Sequence, residues 1–295
     1  MEITVAEAST ALAPKRPAAY PTIPESWGVL GWYLLVVIGF SVPAYLLSRL
    51  FTPAYQVIAM GLVGVLANVV LLVFLRWKAG PRAQPLRMKG KEQLWLYIAL
   101  PVLVVTHGVV LSPLEFLHLP NWMSGTFKNL MDTPILAFGV IVVGAPVLEE
   151  LLFRGMILSG LLRNHRPWVA IGQSALLFGI IHFNPAQSVN AVFMGLLLGW
   201  LYYRTRSLWL CMGLHALNNL LAFTAMLWAP PAWQDLLVLD LFPSVGAYAG
   251  AVLGSALVLG FILWRVRQTT SPIGSMTPTD PEVDAPLGTV EAEAV

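Results

Sequence analysis

Two adjacent carboxylates, an arginine, two imidazoles and a carboxamide stand out in this chain because everything around them is apolar. Glu149, Glu150 and Arg154 fall inside the run APVLEELLFRG, His182 inside FGIIHF, and His215 and Asn219 inside GLHALNN. Placing an ionisable group in hydrocarbon costs on the order of a few kcal/mol, so such residues face a protein interior and serve a function. Helical spacing sorts them. Glu150 and Arg154 are four apart, on one face with the glutamate first, the favourable order for an ion pair. Glu149 is rotated by about 100° from Glu150 and is free to point elsewhere. His215 and Asn219 share a face in the same way, with Asn218 about 60° off it. Phe178 puts an aromatic ring one turn before His182.

Brought together, these groups suit hydrolysis. Glu149 could take a proton from a water. An imidazole could orient that water or protonate a leaving amine, and Asn219 with a histidine N–H could hold the oxyanion of a tetrahedral intermediate. The set could instead hold zinc, which in catalytic sites takes three protein ligands and a water; the ligands would be Glu149, His182 and His215. There is no HExxH, and a carboxamide is a poor zinc ligand, so the residues leave metal use open. Cys211 is the only cysteine, which excludes a disulfide framework and a cysteine-based metal site.

The elements that must position these residues are membrane helices. Of 295 residues, 57% are hydrophobic and only 11% charged, with a mean hydropathy of +0.73, against about 25% charged in soluble domains. Apolar runs bounded by charges, prolines and Trp or Tyr predict eight spans: 27–50, 55–77, 93–111, 133–162, 168–183, 189–203, 208–228 and 243–264. The fourth is longer than a membrane requires and is expected to tilt, to kink near Gly144 and Pro146, or to continue past the interface. The expected fold is an all-α polytopic transmembrane bundle at 27–265, with its motif-bearing core at 133–228. Disordered segments are expected at 1–26 and, acidic in character, at 266–295. With both termini cytoplasmic, fourteen basic residues fall on the cytoplasmic side and two, Arg49 and Lys128, on the other, a strong positive-inside bias. The basic loop 76–91 reads as part of that signal, and no nucleic-acid partner is expected. The absence of targeting signals suits a multi-pass protein of the plasma (inner) membrane of a bacterium. GLLLG at 195–199 reads as close helix packing, and His107 as a packing or interfacial residue.

In order and within 71 residues, EELLFR at 149–154, FGIIH at 178–182 and HALNN at 215–219 resemble the EExxxR, FxxxH and HxxxN/D motifs of the CPBP family. These are the CAAX-prenyl-protease and bacteriocin-processing membrane proteases, also called the abortive-infection family. The resemblance implies an intramembrane endopeptidase of about eight helices around a cavity open to the cytoplasm, cutting a peptide bond near that interface in a peptide or protein substrate held at the bilayer. It implies that Glu149 activates the water with His182, that His215 and Asn219 bind the oxyanion, and that Glu150, Arg154 and Phe178 support them. Members are described both as metalloproteases and as metal-free glutamate enzymes; the metal-free form is preferred. Two other readings use the same residues. A proton-coupled transporter would use the glutamates and histidines as a relay, but the chain shows no internal repeat. A non-catalytic member of the family would act as an immunity factor or scaffold.

Overall fold

A computed structural model describes residues 17–50, 53–90, 92–123, 125, 130–228 and 236–272. Among the described residues the chain is an all-α membrane bundle of eight principal helices: α1 (Ile23–Ser48), α2 (Pro53–Ala79), α3 (Leu94–Leu111), α4 (Pro134–Asn164), α5 (Pro167–Ile180), α6 (Pro185–Thr205), α7 (Leu208–Trp228) and α8 (Val245–Thr269). Four of them, α2, α4, α5 and α6, open on a proline. At that position the missing N–H costs nothing and the fixed φ already suits a helix. Six helices, α1 to α4, α7 and α8, are long and apolar enough to cross a membrane. The eight expected spans are therefore eight helices, of which six meet that measure. Helix α5 has 14 residues, short of the roughly 20 that a full crossing needs.

Large apolar side chains such as Leu35, Leu46, Ile98, Ile135 and Leu257 are exposed on the outside of the bundle. Contiguous apolar surface of this kind is what lipid, rather than water, solvates. The core lies instead around α4 to α7, where Phe153, Ile157, Ile171, Phe178, Leu198 and Leu214 pack together. GLLLG is the packing surface expected of it: a Cβ on Gly195 would fall 3.0 Å from Ala175, and one on Gly199 would fall 3.2 Å from Ile171. The small residues let α6 lie directly on α5.

Alternate helix ends gather at opposite ends of the bundle. One end carries the basic connections. There Leu208 N–H donates to the Arg87 carbonyl at 3.1 Å, Arg204 Nε–H to Thr270 Oγ1 at 3.1 Å, and Arg163 Nε–H to Gln84 Oε1 at 3.2 Å. At the other end Trp122 N–H donates to Asn184 Oδ1 at 3.0 Å, Val238 N–H to Glu115 Oε2 at 2.8 Å, and Ser112 pairs with the Tyr248 hydroxyl at 3.0 Å. Exposed Trp77, Trp168 and Trp264 ring the basic end and Trp122 and Trp228 the opposite one, as interfacial belts do.

The expected disordered tails fall at 1–16 and 273–295 outside the described residues. The stretch 17–26 corrects the N-terminal boundary, because it is laid on the basic end of the bundle. Ala19 N–H donates to Asn164 Oδ1 at 3.1 Å and Asn164 Nδ2 returns a bond to the Ala19 carbonyl at 2.7 Å. Gly160 of α4 has no side chain, and this lets the Tyr20 backbone lie directly against the helix. The C-terminal boundary shifts for a similar reason: α8 runs on to Thr269, and the Arg204 guanidinium holds the Arg267 carbonyl at 2.6 Å.

Helix α4 departs from α-helical geometry on both sides of the glutamates. Phe138–Gly144 and Leu151–Leu158 are π-helical, and Ala145–Glu150 between them is α-helical. The first departure has a covalent cause. Pro146 has no N–H to give to Val142, and Ala145 N–H bonds the Val140 carbonyl, five residues back instead of four. The irregularity expected near Gly144 and Pro146 is thus a π-helical stretch; such stretches are frequent at functional sites.

Candidate active site

The buried charges form one chain of contacts across α4 and α7. Arg154 Nη1–H donates to Glu150 Oε1 at 2.7 Å, with both side chains fully buried. The same oxygen accepts His215 Nδ1–H at 2.9 Å. The other ring nitrogen, Nε2, lies 3.8 Å from Glu149 Oε2, and the Glu149 side chain keeps 21% of its surface exposed. The rotation between adjacent helical residues therefore sends the two glutamates to opposite nitrogens of one imidazole. Glu150 has a double task, joining Arg154 to His215, where sequence spacing showed only the first partner.

Arg154 is held from two further sides. Its Nη2–H donates to the Gly195 carbonyl at 3.2 Å, and its guanidinium stands 4.7 Å above the Phe178 ring. Phe178 also meets both imidazoles edge to face, His182 at 5.1 Å and His215 at 5.6 Å between ring centres. Aromatic pairs prefer such crossed arrangements, and one buried ring sets the orientation of three polar side chains.

His182 stands just past the end of α5, where the last carbonyls of a helix have no N–H partner within it. Its Nδ1–H donates to the Phe178 carbonyl at 2.7 Å. A carbonyl can only accept, so Nδ1 carries a proton; in the corresponding uncharged tautomer Nε2 is the acceptor. Asn219 answers a need created by α4. With Ala145 N–H turned to Val140, the Ile141 carbonyl would take its bond from residue 146, a proline. Asn219 Nδ2 supplies the hydrogen bond instead, at 2.9 Å, and Asn219 Oδ1 accepts from Asn218 Nδ2 at 3.3 Å.

A cavity of about 630 Å³ lies against this constellation, with His182, His215, Asn218, Asn219 and Phe178 in its wall. Asn218, the weaker candidate by helical angle, faces the same space as Asn219. Glu149 and Glu150 are not in that wall; Glu149 adjoins it through His215. His107 of α3, read from the sequence as a packing or interfacial residue, also reaches the cavity. It is buried, hydrogen-bonds the Phe193 backbone and lines the same cavity. A signal existed, because His107 is the only histidine or charged residue within LWLYIALPVLVVTHGVVL, and such residues in a span lean functional. The cavity also opens at the end of the bundle opposite the basic connections, since His107, Ser112, Glu115, His118 and Leu236 line its outer part. α3, α5 and α7 all run away from the basic end toward the cavity, whereas the resemblance implied a mouth on the cytoplasmic side.

No group of three or more His, Cys, Asp or Glu side chains stands close enough to hold a metal ion among the described residues. Nδ1 of each histidine is committed, to the Phe178 carbonyl and to Glu150, which leaves Nε2 as the nitrogen that each could offer to a metal.

Comparison with known proteins agrees with this geometry. Residues 131–221 match the family model described as type II CAAX prenyl endopeptidase Rce1-like. Over 134 residues the chain is 30% identical to a protein of Bacillus subtilis (strain 168) named "Putative membrane peptidase YdiL". That match takes in 44% of this chain and 54% of the relative, so the chain spans about half the length of the curated relative it matches. No solved structure matches. The matched segment holds the whole contact chain from Glu149 to Asn219, and over that segment the chain is similar to the Rce1-like family, the CPBP group that its three motifs resemble.

Proposed function

We propose that the protein is an intramembrane endopeptidase that hydrolyses a peptide bond with a water activated by Glu149. The observation that carries this reading is the chain Arg154–Glu150–His215–Glu149, closed at 2.7, 2.9 and 3.8 Å beside a cavity large enough for peptide. A gap of 3.8 Å is too long for a direct hydrogen bond and suits a water held by both groups.

In this mechanism Glu149 takes a proton from that water while the hydroxide oxygen bonds the scissile carbonyl carbon. The carbonyl oxygen becomes an oxyanion, stabilised by Asn219 Nδ2, which has a second N–H beyond the one given to Ile141, and by His215 when Nε2 is protonated. His182, with Nε2 free to accept, relays the proton to the leaving amine. The C–N bond then breaks to give a carboxylate and an amine. Glu150 and Arg154 keep His215 in register, and Phe178 keeps both imidazoles oriented. No step passes through a metal. The substrate is a peptide or protein segment at the bilayer of a plasma membrane.

The test is cleavage of a quenched-fluorescent peptide library by the purified protein in detergent. Glu149→Gln is expected to lower the rate by about 10²-fold or more, the scale of general-base catalysis, and His182→Ala to lower it as well. Both variants should elute and unfold like the parent. Unimpaired cleavage by either variant overturns the mechanism.

A further inference from the structure

We propose that the cavity opens on the non-cytoplasmic side of the membrane and takes short extended peptide segments with apolar side chains exposed there. The statement about side rests on geometry and charge; the statement about substrate rests on the peptidase reading above.

Three observations carry it. The first is direction. The outer cavity wall is built from the end of α3, the residues that follow it (Ser112, Glu115, His118) and Leu236 before α8, all at the end where α3, α5 and α7 finish. The second is charge. Arg82, Arg87 and Lys89 between α2 and α3, Arg166 between α4 and α5, and Arg206 between α6 and α7 lie at the opposite end, whereas Arg49 is the basic residue described at the cavity end. Basic residues in short loops stay in the cytoplasm, and that places the mouth outside. The basic end is also tied together across the start of α7. Trp209 N–H donates to the Met88 carbonyl at 3.1 Å and Ser207 Oγ–H to Glu92 Oε1 at 2.8 Å.

The third observation is the chemistry of the wall. Glu115 at the rim is its one carboxylate. The carboxamides Gln187, Asn190, Asn218 and Asn219 offer both donors and acceptors, as a peptide backbone requires. Between them Leu111, Val189, Met194 and Leu237 supply apolar contact. The volume, about 630 Å³, suits a few extended residues rather than a helix, whose width with side chains is about 10–12 Å.

The chain provides its own background for a labelling test, because Cys211 is the only cysteine and is fully buried. His118→Cys marks the mouth and Lys89→Cys the basic end; both positions are exposed. A membrane-impermeant maleimide applied to intact spheroplasts should label His118→Cys at least tenfold more than Lys89→Cys, and permeabilisation should equalise the two. The reverse pattern, or equal labelling before permeabilisation, overturns the proposed side. Quenched-fluorescent peptides with apolar side chains are then added to sealed vesicles. Cleavage in right-side-out vesicles that Glu149→Gln abolishes supports the substrate statement, and cleavage confined to inverted vesicles overturns it. If neither vesicle type nor detergent-solubilised protein cleaves, the peptidase reading itself fails, while the labelling result still decides the side.

Discussion

Glu150 is the residue on which the buried charges balance, because Arg154 and His215 share its Oε1. Removing one partner of a buried pair leaves an uncompensated charge, at a cost of about 3–5 kcal/mol, whereas replacing both partners with apolar residues is often neutral. Glu150→Ala should therefore lower thermal stability in detergent far more than the double variant Glu150→Leu/Arg154→Met. A single variant no worse than the double would remove the proposed role. Half of this arrangement was legible in the sequence, since Glu150 and Arg154 lie within one helical turn. The bond from His215 was not, because its partners are 65 positions apart and meet only through the packing of α7 on α4.

At the scale of elements, the π-helical stretch of α4 and the carboxamide of α7 depend on each other. Pro146 withholds the N–H that the Ile141 carbonyl would otherwise receive, and Asn219 replaces it. Loss of that donor should leave a partly buried carbonyl unpaired, a cost of about 1–3 kcal/mol. Asn219→Ala is expected to destabilise the protein by this amount. The same substitution in a Pro146→Ala background should cost clearly less, because residue 146 then has an N–H of its own. Additive effects in this double-mutant cycle, read by thermal unfolding, would show that the two residues act independently. The proline made a local irregularity foreseeable, but not its form. The pairing of Asn219 with Ile141 depends on the relative heights of two helices, which no spacing within either one encodes.

Over the whole molecule, the two ends of the bundle do different work, and the basic end holds the frame. Burial pushes the Glu92 carboxyl up. Hydrogen bonds from its own N–H, the Ser207 and Tyr97 hydroxyls and Gly90 N–H outweigh that and hold it below the usual carboxylate range. A depressed carboxylate stabilises the fold fully above its ordinary pKa, and this contribution is lost as pH falls through the lowered folded value. The stability advantage of the parent over Glu92→Gln should accordingly be present at neutral pH and shrink on acidification. A difference in unfolding midpoint that stays constant with pH would sink this account. By itself the sequence determined the all-α membrane bundle, the helices that carry chemistry, the Glu150–Arg154 pair and the family resemblance, because run length, charge placement and residue spacing are local quantities. Only the tertiary structure decided that His215 stands between two carboxylates, that His107 joins the cavity, and that the cavity opens away from the basic loops. Those outcomes depend on how helices distant in sequence pack side by side, and on the direction in which each one runs.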